Sequence, residues 1–208
     1  MFPLRHKIRT SLARAAPRGH ASCHANLRNR YSVDASSELE FAEYRWAIDE
    51  LFVINLADAP AIGGPRGATF IKLEPAGVSW PDTGVNVQVM QPGQPTGRYH
   101  SEPVQEDFLV LYGECIAVVD HEERALRQWD FLHCPAGSGH VFVGAGDGPC
   151  AVLMIGSRRE NALRYTVNKT AARYGASVSR ETDDPAEAYA DWRAEGPDVP
   201  VPNPWPFK

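Results

Sequence analysis

The chain has 208 residues, of which 43% are hydrophobic, and a formal net charge of −5 at pH 7. A chain of this length suits one well-buried domain better than two. Its apolar runs are shorter than the roughly 20 residues that cross a bilayer, and its start lacks the apolar core of a secretory signal. We therefore expect a cytoplasmic protein without a membrane partner.

Basic residues are concentrated at the start of the chain. Residues 1–30 contain seven Lys or Arg and no acid, which leaves 14 basic and 26 acidic residues in the remaining 178. Because a duplex-binding surface needs a basic face, we expect no nucleic-acid partner for the folded part. We expect residues 1–36 to be a disordered arm. It resembles a mitochondrial transit segment; an anion-binding tail fits as well, and so does an extension without a structural role, which composition favours.

Two elements are predicted before the main β-region. Ser37 and Glu40 have the spacing of a capping box, and residues 38–50 then mix apolar and acidic residues at a helical period, which predicts a short helix. Residues 51–56, LFVINL, are β-prone. The glycine-rich residues 57–67 lack the spacing of a phosphate-binding loop, so we interpret them as a connection.

Eight short β-prone segments follow, separated by Gly, Pro, Asp or Glu turns. This spacing, with no alternating helices, predicts an all-β sandwich or barrel within residues 37–160. On its inward face we expect Val87, Val89, His100, Glu106, Phe108, Val110 and His140. The segments are ATFIKLE (68–74), VNVQVM (85–90), RYHSE (98–102), EDFLVLYGE (106–114), CIAVVDH (115–121), ALRQWDFLHC (125–134), HVFVG (140–144) and CAVLMIG (150–156).

The β pattern ends near Arg159, and residues 161–208 form a C-terminal extension. Residues 168–175 are typical of a short helix that ends at Gly175. Asp184 followed by Pro185 predicts the start of a second helix, over 185–195. The proline-rich end of the chain excludes a helix and predicts an extended strap.

Potential metal ligands recur between residues 100 and 140. His100 and Glu102 lie two residues apart, so on a strand their side chains share a face. After a turn, Glu106 opens another strand, and a Pro135-x-Gly137 corner precedes His140. Two imidazoles and one or two carboxylates would then converge on one divalent ion, a set suited to zinc or non-haem iron, with manganese or nickel as alternatives.

These residues closely resemble the two motifs of the cupin superfamily. The first motif is H-x-H, three or four residues, E, six residues and G; the second is P-x-G-x-x-H, three residues and N. The resemblance implies a small single-domain cupin, a jelly-roll barrel with short helices in its extensions. It implies a metal set of His100, Glu106 and His140, with Glu102 in the position of the second family histidine. Trp129 replaces the usual Gly before Asp130, and Gly144 replaces the usual Asn.

Glu102 is the departure that matters most. As a ligand it would give the ion two carboxylates, which cancel a divalent charge and weaken the centre as a Lewis acid. Off the metal, it would be free to act as a general acid or base. The sequence leaves both roles open. Tyr99, Tyr112 and Trp129 are the candidate pocket-lining aromatics, although packing is the commoner role of an aromatic in a small barrel.

Two classes of function fit these residues. One is a small metal-dependent enzyme, of isomerase or dioxygenase type, that acts on a polar metabolite; the other is a non-catalytic cupin that binds a metal or small ligand for sensing, storage or scaffolding. We favour the enzyme slightly, with a small-molecule ligand, and expect a homodimer. The four cysteines form no C-x-x-C pair, which indicates reduced, buried thiols; Cys134, beside the Pro135 corner, is the one of interest.

Overall fold

Short antiparallel strands make up most of the structure, a computed structural model that describes residues 51–74, 78–160 and 162–205. The predicted arm and the capping-box helix of residues 38–50 lie outside these ranges. The strands are β1 (Ala61–Gly63), β2 (Thr69–Lys72), β3 (Thr83–Met90), β4 (His100–Ser101), β5 (Glu106–Tyr112), β6 (Glu114–Val119), β7 (Glu122–Arg127), β8 (Phe131–Cys134), β9 (His140–Ala145), β10 (Cys150–Ser157), β11 (Arg164–Tyr165) and β12 (Val199–Val201).

The strands form two sheets. The larger sheet has the order β12-β1-β2-β3-β10-β5-β8, and the smaller sheet has the order β11-β4-β9-β6-β7. The described helices are three short ones, all in the C-terminal extension: α1 (Lys169–Ala172), α2 (Pro185–Ala188) and α3 (Ala190–Glu195). None of these described helices is long and apolar enough to span a membrane. The predicted all-β barrel with short helices is confirmed.

The barrel interior is an apolar cluster contributed by both sheets. Met90, Phe108, Val110 and Val152 of the larger sheet pack there with Phe142 of the smaller sheet. Successive strand residues face opposite sides of a sheet. The neighbours of these interior residues along each strand therefore face the outside of the barrel.

The prediction that Val87 and Val89 face inward is wrong. They pack in a second cluster, with Ile71 and Ala151, on the outer face of the larger sheet. Met90 on the same strand belongs to the interior cluster, so Asn86 and Gln88, which alternate with the valines, share the inward face. The physical reason for the error is that both faces of β3 are covered, and two covered faces remove the simple apolar-in, polar-out pattern.

Two predicted strands differ from the structure. Residues 51–55 have no regular structure, and a 3-10 turn, Leu56–Asp58, follows because the Asn55 side chain accepts a hydrogen bond from the backbone of Ala57. The predicted strand 125–134 is interrupted by a turn between β7 and β8. Trp129 has a positive φ of 76° there, a left-handed conformation that breaks a strand.

The C-terminal extension confirms the predicted short helix within residues 168–175 and the predicted helix start at Asp184. Asn168 caps α1 by accepting from the backbone of Thr170 and Ala171, and Asp184 caps α2 with Pro185 in its first turn. The second predicted helix is divided into α2 and α3 at Tyr189. The proline-rich strap is extended as predicted, and its strand β12 pairs with β1.

Arg98 fastens this extension to the strand that carries His100. Its guanidinium is buried and donates hydrogen bonds to the backbone carbonyls of Gly175, Ser177 and Ala188, at 2.9, 2.8 and 3.1 Å. It also pairs with Asp191 and lies 4.6 Å from the centre of the Trp192 ring. One buried cation therefore holds three separate parts of the C-terminal extension.

We expect the Arg98→Met variant to lose about 3 kcal/mol of stability, because three backbone carbonyls lose a buried, charged donor. For a protein of this size the melting temperature should fall by about 6 to 12 °C, measured by circular dichroism. Arg193→Met is the matched control, since Arg193 makes only exposed contacts of 3.4 and 3.5 Å. Equal melting temperatures for the two variants would show that Arg98 anchors nothing.

Candidate metal centre

Three predicted ligands come together where the two sheets meet. His100 of β4 and His140 of β9 are direct partners in the strand pairing, and their ring centres lie 5.1 Å apart. Glu106 opens β5 in the opposite sheet. One ligand atom from each of His100, Glu106 and His140 lies within 4.8 Å of the other two. We call these residues the triad.

The corner that precedes His140 is tied to the first motif. The Gly137 N–H donates to the carbonyl of Glu102 at 2.7 Å, and Ser138 N–H donates to the carbonyl of Pro135. Gly137 has a φ of 84°, a conformation that favours glycine. At Gly139 an added Cβ would lie 2.2 Å from the Tyr99 hydroxyl. The corner therefore brings both motifs together through backbone contacts that side chains would obstruct.

Backbone carbonyls orient both imidazoles. His100 Nδ1 lies 2.7 Å from the carbonyl oxygen of Arg98, and His140 Nδ1 lies 3.1 Å from that of Ser138. A carbonyl oxygen only accepts, so each Nδ1 carries a hydrogen, and Nε2 is the ring nitrogen that remains to bind a metal. Metal-binding histidines commonly donate their other ring N–H to a backbone carbonyl in this way, which fixes the orientation of the ring.

The Nε2 atoms face carboxylates. His140 Nε2 lies 3.3 Å from Glu106 Oε2, and His100 Nε2 lies 3.7 Å from Glu102 Oε1. Two acceptors repel each other at such distances unless a proton or a cation lies between them. Two imidazole nitrogens and a carboxylate oxygen are donors that suit a divalent transition metal. The triad is therefore a group that could hold one such ion.

Glu102 lies at the edge of the triad. Its carboxylate is within ion-pair distance of His100, but the group of mutually close ligand atoms consists of His100, Glu106 and His140. Only 13% of its side chain is exposed, so Glu102 is a largely buried neighbour of the triad.

The three candidate pocket aromatics are not brought to the triad. Tyr99 is buried against Val118 and Val141 on the outer face of the smaller sheet, because it alternates with His100 along the chain. Tyr112 follows a register shift in the β5–β10 pairing and contacts Trp205. Trp129 is 67% exposed in the β7–β8 turn. The sequence indicated none of these orientations, since they depend on a bulge, a turn and a covered outer face.

His121 and His133, the other two histidines that the structure describes, have structural contacts, and the described cysteines are buried. His133 pairs with Asp107 at 2.7 Å, and His121 contacts the side chain of Asn168. Cys115, Cys134 and Cys150 are free and buried, as predicted, and Cys23 lies outside the described residues. Burial, reinforced by the nearby charge of Glu106, raises the pKa of Cys134 to about 11. At neutral pH this thiol is therefore protonated and a poor nucleophile.

Comparison with known proteins identifies the barrel. Residues 86–156 match the family model for the cupin domain, and the two-sheet architecture around them agrees with that match. Residues 86–156 of this chain thus match a cupin domain, as the two motifs predicted. No protein of curated function matches it.

Several solved structures are similar to part of the chain. A sugar phosphate isomerase from a cupin superfamily, from Silicibacter pomeroyi, is 30% identical with a TM-score of 0.41, over 48% of this chain and 64% of that one, which is less than two thirds of its length. The polyketide cyclase RemF from Streptomyces resistomycificus is 19% identical with a TM-score of 0.47, over 55% and 84%. A cupin-like protein from Thermotoga maritima is 18% identical with a TM-score of 0.46, over 62% and 99%.

The geometry predicts different results for the two glutamates. Glu106→Gln should lower metal affinity at least about tenfold, because an amide is a poorer donor than a carboxylate. Glu102→Gln should retain one ion per chain. Elemental analysis and competition with a zinc chelator measure both, and equal losses of metal in the two variants would show that Glu102 is a ligand.

Proposed function

We propose that the chain binds one divalent metal ion through His100, Glu106 and His140 and is a small metal-dependent enzyme that acts on a polar metabolite. The reaction is of isomerase or dioxygenase type. The observation that carries this proposal is the convergence of two oriented imidazoles and a carboxylate on one point at the mouth of the barrel.

Access to the triad supports a catalytic role over a purely structural one. The side chains of His100 and Glu106 are 20% and 16% exposed, whereas that of His140 is 5% exposed. Structural metal sites are usually closed by protein ligands, while catalytic sites keep an open position for a ligand. Three protein ligands at a partly exposed mouth match the open kind.

Glu102 supplies the second element of the proposed chemistry. A bound divalent ion would polarise an oxygen of the metabolite and so acidify a neighbouring C–H or O–H group. The Glu102 carboxylate, 3.7 Å from His100 Nε2, is placed to take up a proton beside the triad and return it at another atom. Such a transfer is the chemistry of an isomerase.

Metal content is the first test. The protein purified without chelator should contain about one divalent ion per chain, and after chelation it should be restored by zinc, iron(II), manganese or nickel. A chain that takes up none of the four metals at stoichiometric level would rule out the metal centre. Glu106→Gln serves as the control for adventitious binding elsewhere on the surface.

Activity is the second part of that test. Each metal form is incubated with small hydroxylated acids and sugar phosphates, and two signals are followed: deuterium incorporation from heavy water and consumption of dioxygen. Deuterium uptake supports the isomerase type, and Glu102→Gln should then reduce it by about 10² or more. Stoichiometric metal with neither signal would favour the non-catalytic alternative.

The proposal also includes a homodimer. Trp129 and Phe131 are 67% and 62% exposed, and β8 forms one edge of the larger sheet. Exposed aromatics beside a sheet edge suit contact with a second copy. We expect light scattering to give twice the mass of one chain, and Trp129→Ser with Phe131→Ser to give the mass of one; a monomeric natural chain would contradict this.

A further inference from the structure

We propose that Lys72 and Asn86 form a recognition site inside the barrel for an anionic group, a carboxylate or a phosphate, on a hydroxylated ligand. This inference deepens the proposed function, since the same ligand would reach the triad with its other end. It assigns a role to two residues that lie far from both cupin motifs in the sequence.

Lys72 and Asn86 lie on the inward face of the larger sheet. They are direct partners between β2 and β3, and Asn86 is in turn the partner of Met154 on β10. Ile71, next to Lys72, packs in the outer cluster, as does Val87, next to Asn86. Alternation along each strand therefore directs the Lys72 and Asn86 side chains into the barrel.

The same row of the sheet leads to the triad. Met154 is the partner of Phe108 on β5, and the Phe108 ring lies 5.1 Å from the ring of His140. Three strand spacings separate Lys72 from Phe108, about 14 Å along the sheet. The side chains of both ends project into the space that the curved sheets enclose, so a metabolite-sized ligand could contact both.

Lys72 is a half-buried cation. Among the described residues, its ammonium makes no hydrogen bond and no ion pair shorter than 4.0 Å. Burial lowers its pKa, and the negative charge of Glu74 opposes that shift only in part. A buried charge that is not paired costs free energy, which an anionic ligand would offset.

Arg158, a second cation in this part of the structure, has partners for its hydrogen-bond donors. Arg158 donates to both oxygens of Glu74, to Ser79 Oγ at 2.6 Å and to the Trp80 carbonyl at 3.0 Å. Glu74 also accepts from the backbone N–H of Trp80. The nearby carboxylate is thus engaged by Arg158, and Lys72 is left as the cation available to a ligand.

Asn86 adds an acceptor to this cation. Its Oδ1 atom is buried and has no hydrogen-bond partner within the described residues. A buried acceptor without a donor costs about 1 to 3 kcal/mol, and a ligand hydroxyl would supply the missing donor. Lys72 with Asn86 therefore selects an anion that also carries a hydroxyl group, which is why the class is hydroxy acids or sugar phosphates.

The test is calorimetric titration of the full zinc-loaded chain with inorganic phosphate and, separately, with glycolate; ethylene glycol is the neutral probe. Lys72→Met should weaken the binding of the preferred anion at least tenfold, and Lys72→Arg should keep it within a few-fold. Lys169→Met, at an exposed lysine, is the matched control and should bind as the natural chain does. Zinc content should be the same in all four proteins.

The two anions distinguish the sources of the anionic group. Preference for phosphate indicates a phosphate ester, and preference for glycolate indicates a hydroxy acid. Unchanged binding of both anions by Lys72→Met would overturn the inference, as would the absence of measurable binding to the natural chain. If zinc does not bind at all, the proposed metal centre fails separately, and the same titrations on the metal-free chain still decide the role of Lys72.

A lysine-specific measurement separates ligand contact from a structural role. In carbon-13 NMR of the reductively methylated chain, phosphate or glycolate should raise the pKa of Lys72, because an anion stabilises the charged form. Glu74 and Arg158 are the charged groups nearest to this end of the barrel, and they are common to both states. A Lys72 pKa that does not respond to a bound anion would contradict the contact.

Discussion

The pairing of His100 with His140 across β4 and β9 is the contact on which the candidate site depends. It places two imidazoles 5.1 Å apart on one rigid sheet, while backbone carbonyls hold both rings with Nε2 turned towards the carboxylates. Glu106 comes from the opposite sheet, so the site exists only when the two sheets close against each other. Folding and formation of the metal centre are therefore one event, and a bound ion would in turn stabilise the closed barrel.

The strand that carries His100 is short, and its position is set by contacts outside the barrel. β4 contains two residues, too few to be held by strand pairing alone. Arg98 lies two residues before His100. Its backbone carbonyl orients the His100 ring, and its guanidinium binds the C-terminal extension. The helices and turns after residue 165 thus support the site although none of their side chains belongs to the triad.

Charge is divided between two ends of the barrel interior. Glu102 and Glu106 lie with the histidines, whereas Lys72 lies on the inward face of the larger sheet, three strands from Phe108 and near the Arg158–Glu74 ion pair. A bound cation would balance the charge of Glu102 and Glu106, and a bound anion would balance the charge of Lys72. Under our proposals the metal binds among the carboxylates and imidazoles, and the anionic group of the ligand binds beside Lys72.

The sequence by itself determined the fold class, the barrel strands and the metal-ligand candidates, because these depend on local patterns. Alternating apolar residues and turn residues mark the strands. His100, Glu106 and His140 belong to two short motifs, each of which can be recognised from its own spacing. Helix caps at Asn168 and Asp184 are local for the same reason. Only the tertiary structure decided which face of each strand is inward. Val87, Val89 and Tyr99 are buried outside the barrel, since its outer faces are covered by residues 54–61, the strap and α1. Lys72 lies in a segment that the sequence predicts to be a strand, but only the pairing of β2 with β3 shows that its side chain faces the interior.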